Sequence, residues 1–258
     1  MKTFMRNLND LYKLLELSKG MNLTIFRLGS NFIPFASHPQ FNEEWFNDIE
    51  GELKKHASEI IKFSIRITMH PGQYVVLNSP SSSVLKRSLK EVNYHFWLLD
   101  VLGLKESVVV IHMGGSYGDK RKAVNQFMKT MDENPWLTRR LALENDERFY
   151  TIEEIIEIAE SYGIPAVFDY HHHRLNPSNF NIDRLISTWK GRVPEVHLSS
   201  DPKGAHRFGE HGNYIELKDF ESLISILNED QFIDIILEAK MKEKAIIRLM
   251  EDIKARSF

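Results

Sequence analysis

The sequence predicts an α/β protein, a (β/α) barrel of the TIM type with seven strands where eight would close it. Three observations predict it. Short apolar runs rich in Val, Ile and Leu alternate with amphipathic stretches along the whole chain, the pattern of parallel strands joined by helical crossovers. Six of the seven runs stop on a metal-type ligand: ITMH at His70, VVVIHM at His112, LALEND at Glu144, IPAVFDYHHH at Asp169, VPEVHLSS at His197 and IDIILEAK at Glu238. In a parallel barrel those ends meet on one face. Finally, GGSYGDK at 114–120 lacks GxGxxG spacing, so the fingerprint of a doubly wound open sheet is missing. The 258 residues fit a single barrel domain over 1–258.

Each element has its own signal. Leu8, Leu11, Leu14, Leu15 and Leu17 mark a helix over 7–19, with Gly20 as its stop. The strand at 22–28, LTIFRLGS, ends in Arg27 and Ser30 and supplies no ligand. Beyond the loop SNFIPFASHPQ, a helix over 43–63 leads into the strand ending at His70. The loop PGQYVVLNSPSS separates that strand from a helix over 83–103, which finishes at Gly103. A strand over 107–112, a helix over 119–133 and a strand over 139–144 follow. Thr151 and Glu153 open a helix over 152–162, which precedes the strand at 164–169. The chain closes with a helix at 181–190, a strand at 193–198, a helix at 217–228, a strand at 232–238 and a helix at 241–255.

Composition excludes several classes. A hydrophobic share of 42% and a charged share of 27% are those of a globular protein. No apolar run reaches the roughly 20 residues that span a bilayer, so no membrane partner is expected. The opening MKTFMRNLNDLYKLLELSKG reads as an amphipathic helix and not a signal peptide, and a cytoplasmic location is expected. Without cysteine there is no disulfide, thiolate site or cysteine nucleophile. The formal charge of −3 does not mark a nucleic-acid binder, yet two or three divalent ions in one cleft would add about four to six positive charges where a phosphate sits.

One strand-end histidine is more often a hydrogen-bonded core residue than a ligand. Recurrence on successive strands changes that balance. Gathering His70, His112, Glu144, Asp169, His197 and Glu238 at one barrel mouth would be costly without cations. Imidazole and carboxylate donors without thiolate suit zinc, manganese or iron and single out none. Glu144 is able to bridge two ions about 3.5–4 Å apart. His172 would reach a neighbouring ion from the loop above its strand, while His171 and His173 point elsewhere, solvated or supporting a ligand. His211, in GAHRFGEHGNY, is a candidate for the outermost ion and His206 a weaker one. His38, His56 and His95 read as structural or surface. Several clustered ions suit phosphodiester hydrolysis, because they generate hydroxide at neutral pH and neutralise the leaving oxygen.

The segments MHPGQY, IHMGGSYGDK, LALENDER, VFDYHHHRLNP, VHLSS and LEAKMKEKA, in this order, resemble the UV damage endonuclease (UvdE) family from about residue 7 onward. The resemblance implies a TIM barrel of the xylose isomerase-like kind, related in its metal site to endonuclease IV. It implies incision of damaged double-stranded DNA immediately 5′ to photoproducts and abasic sites, leaving 3′-hydroxyl and 5′-phosphate ends. Three divalent ions per chain are implied, manganese preferred, with zinc, magnesium or cobalt as others. His70, His112 and Glu144 would hold one ion. Glu144, Asp169, His197 and Glu238 would hold the second, and His172 and His211 the third. Glu144, Asp169 and Glu238 would then be the catalytic carboxylates, with Lys240 beside the ligands. Gln73 and Tyr74 resemble a pair that inserts into the duplex at the lesion, where an aromatic ring replaces stacked bases. A monomer that joins the nucleoid when acting is the expected state.

Two departures stand out. The family normally begins with a strand of the form IRLGY, whereas this chain opens on what looks like the helix before the second strand, so a barrel lacking its first strand is expected. Glu195 stands two residues before His197, where some members have lysine, as an extra ligand or as an acceptor supporting one. The competing readings are a divalent-metal sugar isomerase or epimerase of the xylose isomerase-like superfamily, and a catalytically impaired lesion-binding protein.

Overall fold

The computed structural model describes residues 1–37, 43–204, 207–227 and 231–256. His38 and His206 lie outside the described residues. The chain forms two compact units, Met1–Ala142 and Leu143–Phe258.

In the first unit, helix α1 (Lys2–Gly20) buries Phe4, Leu8, Leu11 and Leu15, one stripe at helical spacing. Strand β1 (Ile25–Leu28) pairs in parallel with β2 (Arg66–Met69), Ile25 opposite Arg66 and Leu28 opposite Met69. Between them runs α2 (Glu43–Ile61), with Ile49, Leu53 and Ile60 buried. Helix α3 (Ser82–Val101) leads to β3 (Val109–His112), whose Val109 lies opposite Met69. Gly103, at φ +69°, turns the chain out of α3 as its position in the sequence predicts. Asp119 caps α4 (Lys120–Glu133) by accepting from the Lys122 N–H at 3.0 Å. A 3-10 helix, Pro135–Arg139, follows, so the next strand begins at Leu141 and not at 139 as the sequence predicts. The buried Arg140 guanidinium joins Asp100 on α3 to the Leu104 and Ser107 carbonyls at 2.7–2.9 Å. Those bonds satisfy a charge that would otherwise be costly to bury.

The second unit opens within strand β4 (Leu141–Glu144), at Leu143. Helix α5 (Ile152–Tyr162) begins in a capping box of Thr151 and Glu154. Thr151 is the N-cap and Glu153 stands in the first turn, as the sequence predicts, and Glu154 at the third helical position closes the box. Strand β5 (Ala166–Asp169) runs into a six-residue helix α6 (Tyr170–Leu175). After α7 (Ile182–Ser187), β6 (Glu195–Leu198) pairs in parallel with β5, and α8 (Leu217–Ile226) leads to β7 (Asp234–Leu237) and α9 (Glu243–Arg256). Strands β4, β5 and β6 are buried at all four of their positions. That is why β4 and β5 read as apolar runs up to a terminal carboxylate, whereas β6, Glu-Val-His-Leu, buries two polar side chains, Glu195 and His197. Seven strands are found among the described residues, the number the sequence predicts. No described helix is long and apolar enough to cross a membrane.

Candidate metal centre

Register places the ligands of the second unit. Asp169 lies directly opposite His197 in the β5–β6 ladder, at the same height. Leu198 pairs with Leu237, and the Glu238 N–H donates to the Leu198 carbonyl at 2.8 Å, which carries Glu238 just past the end of β7. Glu144 is the last residue of β4 and is fully buried.

The side chains converge. His197 Nδ1 lies 2.9 Å from Glu144 Oε1 and 3.7 Å from Glu238 Oε1. The other carboxylate oxygen of Glu238 is 3.3 Å from His211 Nδ1. His172 Nδ1 lies 3.7 Å from Glu144 and 3.8 Å from Asp169. One ligand atom each from Glu144, Asp169 and His172 falls within 4.8 Å of the others, the spacing of a shared ion. Six of the eight predicted ligands are thus gathered in this unit. In the first unit, His70 and His112 stand ring to ring, with centroids 5.1 Å apart.

Asn145, which the sequence reading passed over, ties the site together. Its side chain accepts from the Asp169 N–H at 2.8 Å and donates to the Asp169 carbonyl at 3.0 Å, so one amide joins the ends of β4 and β5. Its own carbonyl lies 3.0 Å from His172 Nδ1. With Nδ1–H donated there, Nε2 is the atom of His172 that can ligate an ion. That atom faces Glu147 Oε2 at 3.9 Å, a second residue the sequence reading missed. Both neighbours stand in the LENDE segment, 143–147, beside the candidate ligand Glu144, the only signal that would have found them.

His172 is not in a loop, as the sequence reading has it. It sits in the first turn of α6, where the Asp169 carboxylate caps its N–H at 2.7 Å. The remaining histidines separate clearly. His171 is fully buried and not solvated, with its ring 5.7 Å from that of His211 and its Nδ1 3.7 Å from Asp201. Burial pushes its pKa down to about 4 against the pull of Asp201. His173 points away and packs edge-on against Phe168 and Phe180. His56 meets the Tyr12 hydroxyl at 2.9 Å, and His95 is buried on α3.

The electrostatics call for cations. Burial raises the Asp169 pKa, and the neighbouring Glu144 and Glu238 raise it further, while His172 and His197 oppose them. For His172, burial works downward, but Asp169, Glu144 and Glu147 outweigh it and lift the imidazole to about 9. One oxygen of Asp169, Oδ2, is buried without a hydrogen-bond partner among the described residues. A buried carboxylate oxygen left bare among other carboxylates fits a divalent ion.

Glu195 and Lys240 part company. Glu195 is fully buried, with Oε1 3.0 Å from His197 Nε2. Lys240 instead reaches Glu210 at 2.5 Å, and its N–H donates to the Gly212 carbonyl, which braces the loop carrying His211. In the first unit Gln73 is exposed and Tyr74 is 70% exposed. The Tyr74 ring folds back over Gly72, where a Cβ would sit 2.5 Å from it.

Residues 2–257 match the family described as UV-endonuclease UvdE. The chain belongs to the UvdE family. Among its relatives is the UV DNA damage endonuclease of Bacillus velezensis, 33% identical over 259 residues that span 96% of this chain and 81% of that one. The solved structure of SacUVDE shares 32% identity at a TM-score of 0.87, over 99% of this chain and 88% of its own. Endonuclease IV from Thermus thermophilus, 17% identical, matches at 0.64 over 94% of this chain and 92% of its own, a likeness of fold alone. This UvdE-family chain therefore has the TIM-barrel fold class that its sequence predicts.

Proposed function

We propose that this chain is a metal-dependent DNA repair endonuclease that cuts the phosphodiester bond immediately 5′ to UV photoproducts, with abasic sites as further substrates. Its products are a 3′-hydroxyl and a 5′-phosphate. Membership of the UvdE family supports the substrate class. The single structural observation that carries the chemistry is the buried group Glu144, Asp169 and His172, joined by His197 and Glu238.

In this reading Glu144, Asp169, His172, His197, His211 and Glu238 hold divalent ions, with His70 and His112 as further ligands to a total of three ions. Manganese is the proposed metal. Such ions supply hydroxide at neutral pH and neutralise the developing charge on phosphate and leaving oxygens. The protein's own residues do the arranging. Glu144, between His197 and His172, is the bridging carboxylate. Asn145 fixes the backbone of Asp169 and, by accepting from His172 Nδ1, would leave Nε2 available to hold an ion. Gln73 and Tyr74 insert at the lesion, a role that suits an exposed ring with one open face. The protein is proposed to act as a monomer in the cytoplasm, at the nucleoid.

Family membership is also what supports this reading over a sugar isomerase, whose metal site needs fewer ligands. The test is incision of a duplex carrying one defined photoproduct in Mn²⁺, beside an undamaged duplex. Cutting of the damaged strand alone, lost in Glu144→Ala, is expected. Binding without cutting by the wild-type chain would leave a lesion-binding protein in place of an enzyme. A single ion per chain would point to the isomerase.

A further inference from the structure

The loops after β4 and β6 each carry an Arg-Phe pair, Arg148-Phe149 and Arg207-Phe208, and the structure brings the two loops together. The Arg148 guanidinium lies 5.3 Å from the centroid of the Phe208 ring. Phe208 is 54% exposed and Phe149 is 39% exposed.

Hydrogen bonds hold residues 146–150 of the first loop and 207–210 of the second. Asp146 accepts from the N–H groups of Arg148, Phe149 and Tyr150, which locks the first turn. In the second, the Glu210 N–H donates to the Arg207 carbonyl and the Arg207 N–H donates back to the Glu210 carboxylate, at 3.0 and 3.1 Å. Glu210 is in turn anchored by Lys240. Gly209 takes φ +76°, a conformation that favours glycine, and a Cβ there would sit 3.0 Å from the Glu147 side chain. The local charge is mixed, because Glu147 lies 3.5 Å from Arg148.

The pair borders the candidate metal centre twice. Glu147, one residue before Arg148, faces His172 at 3.9 Å. Phe208 stands three residues before His211 on the same braced loop. An aromatic face with a guanidinium against it is the recurring platform for an unstacked nucleobase, with the cation also able to meet phosphate.

We infer that Phe208 and Arg148 form a stacking subsite for one unstacked base of the DNA strand held at the metal cluster. The inference rests on the nuclease reading and deepens it. Phe208 would carry affinity and placement of the strand, and would take no part in the chemistry.

The test uses the full chain and a lesion duplex with 2-aminopurine at positions flanking the damage, bound in Ca²⁺. Phe208→Ala should weaken binding roughly 5- to 100-fold, the scale of one lost base–aromatic stack, and abolish the quenching of 2-aminopurine at one flanking position. Phe208→Trp should keep both. Arg148→Gln should weaken binding and flatten its salt dependence, since it removes a cation. Unchanged binding in Phe208→Ala overturns the inference while leaving the nuclease reading intact, as does a loss that Phe208→Trp fails to restore. If the wild-type chain does not cut the lesion duplex, the nuclease reading falls. Stacking is then decided on a single-stranded 2-aminopurine oligonucleotide, where equal binding by wild type and Phe208→Ala overturns it.

Discussion

Glu195 Oε1 lies 3.0 Å from His197 Nε2, and both side chains are fully buried. The two residues stand at i and i+2 of β6 and so share one face of the sheet. A proton on Nε2, donated to Glu195, leaves Nδ1 as the lone-pair nitrogen. Nδ1 is the atom that faces Glu144 and Glu238. Of the two roles the sequence left open for Glu195, the geometry favours the acceptor that sets the tautomer of a ligand.

Removing that acceptor should cost metal binding before anything else. Glu195→Ala is expected to lower Mn²⁺ affinity about 10- to 100-fold, the usual penalty for losing a group that orients a metal-binding histidine. Glu195→Gln, which retains an acceptor oxygen, should lose less. Titration calorimetry on the metal-free protein reads both. An equal loss in Gln and Ala would instead mean that Glu195 binds the ion itself.

Tyr74 should matter for discrimination and not for metal. Its ring lies over Gly72 and is largely exposed, and its hydroxyl is held above its usual pKa by burial and by Glu91. Tyr74→Ala is expected to narrow the gap between damaged and undamaged duplex by about 1–3 kcal/mol, the value of one stacking contact. Competition binding measures that gap. A variant with weakened Mn²⁺ binding would place Tyr74 in the structural framework instead.

Asn145 makes a prediction about folding. Its amide satisfies both backbone groups of the buried Asp169. Asn145→Ala strands a buried N–H and a buried carbonyl, each worth about 1–3 kcal/mol when left bare. Urea unfolding should show a loss of that order. A variant as stable as wild type would mean that Asp169 finds other partners.

How much of this was legible beforehand follows from what each device depends on. The strands and their terminal ligands are legible because a buried parallel strand is an apolar run, and a polar residue at its end has only the mouth to face. Asp169 and His197 were found that way, and the register sets them side by side. Helix α6 was not legible, since YHHHRL has neither helical periodicity nor length, and its start depends on the Asp169 cap. Asn145 and Glu147 escaped for a related reason. Their roles arise from contacts with β5 and α6, which no local pattern encodes. The two Arg-Phe pairs are visible as letters, but only the fold puts Arg148 over Phe208.

The remaining prediction concerns pH and lies on α3. His95 is fully buried, with Nδ1 2.7 Å from the Glu91 carbonyl, to which it donates. Its Nε2 has no hydrogen-bond partner among the described residues. Burial holds its pKa below the usual 6.5, outweighing the hydrogen bond and the charge of Glu91, with His70 adding to the depression. The unfolded chain takes up a proton near pH 6.5 and the folded chain does not until lower pH. The stability His95 contributes is therefore fully present above about pH 6.5 and drains away as pH falls, by about 1.4 kcal/mol per pH unit until the folded form protonates. His95→Leu removes that proton uptake. Urea unfolding at pH 7.5 and 5.5 should show wild type losing stability relative to the variant at the lower pH. An unchanged difference between the two proteins would mean that the folded and unfolded chains bind this proton alike, and that His95 is charged within the core.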